Sequence, residues 1–432
     1  MSRRVVITGV GVISPFGNSP DSLWDALRSG RSGIAAIEAL PVDHLPTKFG
    51  AEARDFTGHI NDFGDLEKDL VRPIKRGSRL MCREIQMGVA SAQHALQSAG
   101  LKIGGYDPER TGVCFGSDYI ATMPDEYADG IKECIENEEF DFTRWGGEGL
   151  PKVPPLWLLK YLPNMPASHI AIYNDLRGPS NSITHREASA NLSLGEAFAT
   201  IARGKADTIV AGATGTRIHP LRTVHMILQE QLAEGDDPAT LSRPFDSNRT
   251  GMVIGEGAGA VILEELEQAK KRRATIYGEI FGAGSSTVRD LDGVADIRTA
   301  IKNTLVSTLR SAGWSAKDVG HVSAHGLGAT SSDQQEAEGI ADVFGAEKIP
   351  VAAAKGATGN LGAGSGVIEL VVSLRALQEG ALYPSLNCDN PDPKCPIYVA
   401  ANGDTPAGTR FLSVSVTPQG QASGIAVGLF EE

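Results

Sequence analysis

The chain has 432 residues, 41% of them hydrophobic and 22% charged, and its formal net charge is −13 at pH 7. That apolar content excludes global disorder, and the acidic balance argues against nucleic acid or an anionic membrane surface as partners. No apolar run approaches the ~18 residues needed to span a bilayer, and 50 glycines without a collagen period point to a large, loop-rich α/β body.

In chain order, Val5–Ile7 reads as a first buried strand. A strand and not a signal peptide is expected after Arg3 and Arg4, because Gly9 and Gly11 interrupt the apolar stretch and no clear small-x-small cleavage site follows. Ser19-Pro20-Asp21 opens a helix that closes at Gly30. A longer helix is predicted over Arg79–Ala99, with Leu80, Ile85, Val89, Ala92 and Leu96 on one face and Gly100 at its stop. Strands follow at Gly112–Phe115 and Thr208–Ala211. Between them, residues 118–175 are too long and too rich in acidic residues and proline for a plain connection, so they read as an elaborated insertion.

The alternation then repeats. Strands are predicted at Ala260–Leu263, Ile276–Ile280, His321–Ala324, Val351–Ala354 and Leu412–Val416, and helices at Asp296–Ala312, Asp333–Phe344 and Gly366–Gln378. Such alternation implies mainly parallel sheets covered on both faces. Two similar α/β halves are expected, residues 1–265 (with the insertion) and 266–432, joined without a Pro/Ser linker.

Cofactor and metal motifs are absent. Thr8-Gly9-Val10-Gly11 lacks the third glycine of a dinucleotide loop, and neither GxxxxGK[ST] nor HExxH occurs. The five cysteines (Cys82, Cys114, Cys134, Cys388, Cys395) are odd in number and form no CxxC pair, which fits a reduced, cytoplasmic protein. No metal and no cofactor are expected.

Four segments carry a family resemblance: Arg3–Gly33; Gly178-Pro179-Ser180-Asn181-Ser182-Ile183 leading to Ala206–Gly212; Ser242–Glu265; and a C-terminal set of Ala324-His325-Gly326, Lys355–Glu369 and Tyr383–Asn387. They resemble the β-ketoacyl-acyl-carrier-protein synthases, the ketosynthases of fatty-acid and polyketide assembly, over nearly the whole chain. The resemblance implies a thiolase-type α/β fold, two duplicated halves in a five-layer αβαβα sandwich, usually dimeric. It also implies a chemistry in which a thiol at a strand-to-helix turn takes an acyl chain from a carrier. Two imidazoles then polarise a malonyl thioester so that loss of CO2 leaves an enolate.

This sequence departs from that pattern at the decisive positions. Where GPxxSIxTAC places the cysteine, the chain has Glu187. A carboxylate there is a poor nucleophile and would form an anhydride. At the start of a helix predicted over Ala188–Arg203, it gains about 0.3–1 kcal/mol from the helix dipole as a helix-terminal anion or plug. An active part for it in polarising a malonyl group is the other reading. His325 matches the first family histidine, but Leu327 and Ala329 stand where threonines would bind the pantetheine arm. Lys355 matches the family lysine and is expected to pair with Glu336 or Glu187. Asn360 replaces the second histidine; it can donate a hydrogen bond but cannot exchange a proton. The gating loop reads Thr417-Pro418-Gln419 and lacks the family phenylalanine.

Four such changes together point to a non-condensing, chain-length-factor-like partner of an active ketosynthase, as a heterodimer or homodimer. The alternative is a malonyl-carrier decarboxylase or other thioester-processing enzyme. The only arm implied at the site is the phosphopantetheine of an acyl carrier protein, as substrate, and Arg72, Lys75 and Arg76 form a candidate basic dock for that carrier. Glu187, His325, Lys355 and Asn360 are expected to converge in one cleft.

Overall fold

A computed structural model describes residues 3–346 and 348–431. The first half contributes strands β1 (Val5–Ile13), β2 (Thr111–Ser117), β3 (Ser180–Thr184), β4 (Thr208–Thr216) and β5 (Glu256–Glu265). The second contributes β6 (Gly278–Thr287), β7 (His321–Ser323), β8 (Pro350–Ala352), β9 (Tyr398–Val399), β10 (Arg410–Val416) and β11 (Gln421–Gly428). The order is β3-β2-β4-β5-β1 in the first half and β8-β7-β10-β11-β6 in the second, with β9 added outside β8. Each half thus follows the same path, and the two meet where Val5–Ile7 pairs antiparallel with Gly278–Ile280.

The expectation of mainly parallel sheets needs correction. In each half the outer three strands are parallel, but the pairs β4–β5, β5–β1, β10–β11 and β11–β6 are antiparallel. β10 returns directly into β11 through the tight turn at 417–420 instead of through a crossover helix, and a hairpin connection forces the antiparallel sense. β3 and β11 give no strand signal, because β3 is a polar sheet edge and β11 is built of small residues. A Cβ on Gly424 of β11 would meet Thr308 Oγ1 at 2.8 Å, so the small side chains admit the helix above it.

The helices supply three further layers. α1 (Pro20–Arg28) is capped as the sequence indicates, with Ser19 Oγ accepting from Ser22 N at 3.1 Å. α2 (Lys68–Gly77) was hidden by Pro73 in its interior, and the predicted helix from Arg79 divides into a short 3₁₀ turn at 78–80 and α3 (Arg83–Ser98). The insertion contains α4 (Asp125–Glu133) and α5 (Met165–Asn174). α6 (Ser189–Ala202), α7 (Pro220–Gln229), α8 (Ile297–Ala312), α9 (Thr330–Phe344) and α10 (Ser365–Glu379) follow. α3, backed by α5, covers the outside of the first sheet, and α8, backed by α9, covers the outside of the second. α6 and α10 lie between the sheets, touch each other and pack on strands of both halves. The result is the thiolase-type αβαβα sandwich, with Leu194, Ile201, Leu370 and Leu374 in the central core.

The middle layer is close-packed. A Cβ on Gly366 of α10 would meet Ala190 Cβ of α6 at 2.7 Å and Ser415 Oγ of β10 at 3.2 Å. Gly366→Leu should therefore lower the unfolding free energy by about 1–3 kcal/mol in urea titration; a change below about 0.5 kcal/mol would contradict this packing.

Candidate active site

The chain leaves β3, turns at His185 and enters α6 through a 3₁₀ turn at Arg186–Ala188. Arg186 takes a left-handed φ of 49°, which a non-glycine residue adopts only at a cost and only where its surroundings hold it. The clamp is Ser189: its Oγ accepts from His185 N at 2.7 Å and donates to Ser117 O of β2 at 2.9 Å. This sharp turn places Glu187, 2% exposed, on the floor of a cleft of about 310 Å³.

Glu187 is not held as the sequence predicts. Neither Lys355 nor a ring of helix N–H groups binds its carboxylate. The Oε1 atom is ion-paired with Arg217 and accepts from Asn360 Nδ2 at 3.2 Å, and Oε2 lies 3.5 Å from Arg186 Nε. Burial by itself would raise its pKa, but the guanidiniums of Arg217 and Arg186 outweigh it and hold the carboxyl well below the usual range. Arg217 is 0% exposed, and its own pKa is pushed up because its neighbours Glu187 and Asp118 outweigh the effect of burial. It follows directly on β4, pairs through Nη1 with Asp118 Oδ2 at 2.9 Å, and shares that oxygen with Arg222 Nη2 of α7 at 2.6 Å. Arg186 also pairs with Glu230 at 2.7 Å.

His325 and Asn360 line the cleft with Glu187, whereas Lys355 is buried outside that lining and, of these three, reaches only His325, so the expectation of four residues in one cleft is corrected to three. Lys355 Nζ donates to His325 O at 2.6 Å and lies 3.3 Å from His325 Nδ1. Its ion partner is Glu369 of α10, at 2.5 Å, and not Glu336 or Glu187. Glu336 instead accepts the backbone N–H groups of His325 at 2.6 Å and Gly326 at 2.8 Å, and Asp333 accepts those of Leu327 and Gly328 at 2.9 and 3.0 Å. Gly326 and Gly328 have φ of 48° and 82°, so glycine is what lets the loop wrap these carboxylates. Burial, then the charge of Lys355, pushes the His325 pKa well below its ordinary value and leaves a neutral imidazole at pH 7.

The remaining predicted residues divide. Pro418 lines the cleft beside Leu327 and Ala329; Thr417 is buried in the turn to Gln421, and Gln419 is exposed with its carbonyl accepting from Arg289 Nε at 3.1 Å. Arg72, Lys75 and Arg76 are exposed on α2, away from the lining of the cleft, and have no ion pair among the described residues. None of the five cysteines lines the cleft, and burial pushes the thiols of Cys82, Cys114, Cys388 and Cys395 up to about 12.

Arg217, Asp118 and Arg222 are missed by sequence reasoning. The signal for two of them is an aspartate and an arginine placed immediately after buried strands, at Ser117-Asp118 and Thr216-Arg217; Arg222, within α7, gives none. Among the described residues no helix is long and apolar enough to cross a membrane.

Removing Arg217 takes the nearest counter-charge from the buried Glu187 while Asp118 keeps Arg222, so Arg217→Ala should cost about 3–5 kcal/mol of unfolding free energy, and adding Glu187→Ala should recover part of it. Because the folded-state pKa of Glu187 is depressed below 4.5, its contribution is present above that pH and fades as the pH falls beneath it. The acid-side decline in stability should be shallower in Arg217→Ala than in the wild type when urea titrations are run from pH 7 to pH 3; equal slopes would contradict the pairing.

Residues 2–269 match the family profile described as beta-ketoacyl synthase, N-terminal domain, and residues 277–389 match the beta-ketoacyl synthase, C-terminal domain. The 3-oxoacyl-[acyl-carrier-protein] synthase 2 of Coxiella burnetii is 34% identical over 409 residues, 93% of this chain and 92% of its own. That of Vibrio cholerae is 32% identical over 395 residues, 90% of each chain. Among solved structures, a β-ketoacyl synthase from Burkholderia phymatum superposes with a TM-score of 0.85 at 24% identity, covering 99% of this chain and 100% of its own. The ishigamide ketosynthase/chain length factor superposes with a TM-score of 0.83 at 24% identity, covering 100% of both chains. With the fold, the strand-to-helix turn and both family profiles in agreement, the chain belongs to the β-ketoacyl synthase family.

Proposed function

We propose that this chain is a non-condensing, chain-length-factor-like partner of an active ketosynthase in fatty-acid or polyketide-type assembly. The observation that carries this is the buried Glu187–Arg217 pair at the turn where the family keeps its thiol. Condensation needs a nucleophile that forms a thioester; a carboxylate held as the anion by guanidiniums is a poor nucleophile and would give an anhydride instead. The Asn360 amide, which would stabilise an enolate oxygen, instead donates to Glu187 and to Met252 Sδ at 3.4 Å. Hydroxyls for a pantetheine arm are missing at Leu327 and Ala329.

A partnership is supported by the relatives' architecture, which includes a ketosynthase/chain length factor. Phe142, Leu156, Leu158 and Ile172 of the insertion are exposed apolar side chains that such a subunit would cover. An acyl carrier protein would meet the exposed basic residues Arg72, Lys75 and Arg76 in the cytoplasm. The decarboxylase reading keeps one observation in its favour, the joint presence of His325 and Asn360 on the cleft.

Incubation with acyl- and malonyl-carrier substrates tests both readings. Intact-mass measurement should find no hydroxylamine-sensitive acyl adduct, and CO2 release should be at background and rise in Glu187→Gln. An adduct with β-ketoacyl product would overturn the proposal. So would CO2 release that is higher in the native protein than in Glu187→Gln, which would favour the decarboxylase. Purification from the native host should recover a second ketosynthase-fold chain with cysteine at the turn.

A further inference from the structure

Behind the cleft floor lies a line of buried ionisable side chains that alternate acid and base, ending at Glu84, whose pKa burial raises to about 8. Glu187, Arg217, Asp118, Arg222 and Glu84 are each at most 2% exposed. They join as Glu187–Arg217, Arg217–Asp118 at 2.9 Å, Asp118–Arg222 at 2.6 Å and Arg222–Glu84 at 3.5 Å. The line crosses the interior from the turn after β3, past the ends of β2 and β4, to α7 and α3. The surrounding backbone is shaped around it. Gly362, at φ 62°, presents no side chain to Arg217, and a Cβ there would meet Arg217 Nε at 3.3 Å. Arg222 also donates to Tyr119 O and stacks over the Tyr119 ring at 4.7 Å.

We infer that Asp118, Arg217 and Arg222, together with Glu187, form an ionic plug that excludes alkyl chains, so that any acyl group brought to this cleft must end at its floor. This rests on Glu187 occupying the nucleophile turn. An acyl carbon placed there has two directions for its tail. Into the protein, the tail would have to part ion pairs that have no water to replace them, and methylenes return far less than such a separation costs. Toward solvent, the tail would compete with its own carrier arm for the 310 Å³ of the cleft. The chain would therefore hold no acyl chain in its own body, and a growing chain would remain in the partner.

Calorimetric titration of the full chain with S-acetyl-pantetheine and S-dodecanoyl-pantetheine tests this. Each buried methylene tightens binding about fourfold, so a tail that entered would make the dodecanoyl probe tighter by orders of magnitude. The expected result is that the dodecanoyl probe binds no more than about threefold tighter than the acetyl probe, or not at all; a gain above about tenfold overturns the inference. Replacing one pair, Glu187→Ala with Arg217→Ala, leaves Asp118 and Arg222 matched and opens the floor. This variant should gain at least about tenfold for the dodecanoyl probe, and a folded variant without the gain overturns the plug. If the variant does not fold, the native comparison decides alone. Tight dodecanoyl binding without acyl transfer would remove this inference and leave the non-condensing reading in place. Acetyl transfer onto the native protein would do the reverse.

Discussion

A carboxylate buried against a guanidinium sets the terms for the rest of this site. Neither Glu187 nor Arg217 is tolerable alone in a dry interior, since an unpaired charge there is far costlier than the pair. Arg217 in turn needs Asp118, which needs Arg222, so one substitution at the turn draws on residues from three other elements. From this interdependence, a single return to cysteine is expected not to restore condensation. The thiol would stand beside a guanidinium that had lost half of its counter-charge, with Asn360, Leu327, Ala329 and Pro418 still lining the cleft.

The framework around the pair is built from a separate set of buried contacts. Asp333 and Glu336 of α9 hold the 325–328 loop through its backbone N–H groups, and Lys355 ties that loop to α10 through Glu369. These are fully buried polar contacts with specific geometry, and they fix the position of His325 whatever is done there. Burial raises the pKa of Glu336 to about 8 and of Asp333 to about 6, a cost the fold carries to keep the loop in place.

The sequence discloses what is local or fixed by spacing. The Ser19 cap, the α3 face and the Gly100 stop are local, and Glu187, His325 and Asn360 fall at motif positions, so their meeting in one cleft is legible in the chain itself. The partners are not. Arg217 reaches Glu187 across 30 residues and Asp118 across 99, and nothing in the pattern of either segment says which charges will meet. Lys355 shows the same limit: three carboxylates lie within reach of the motif, and only the placement of α10 between the two sheets selects Glu369. Strand sense is likewise a tertiary outcome, because β11 pairs back on β10 through a turn that the sequence marks only weakly.

The claim on which everything else rests is that Glu187 is ionised and engaged inside the protein, and its own titration measures that. A ¹³C-carboxyl chemical-shift titration of selectively labelled glutamate, with Glu187→Gln to assign the resonance, should show Glu187 ionised down to pH 3, well below the other glutamates. A midpoint at or above about 4.5, the ordinary glutamate value, would mean that Arg217 does not hold it, and would contradict the account.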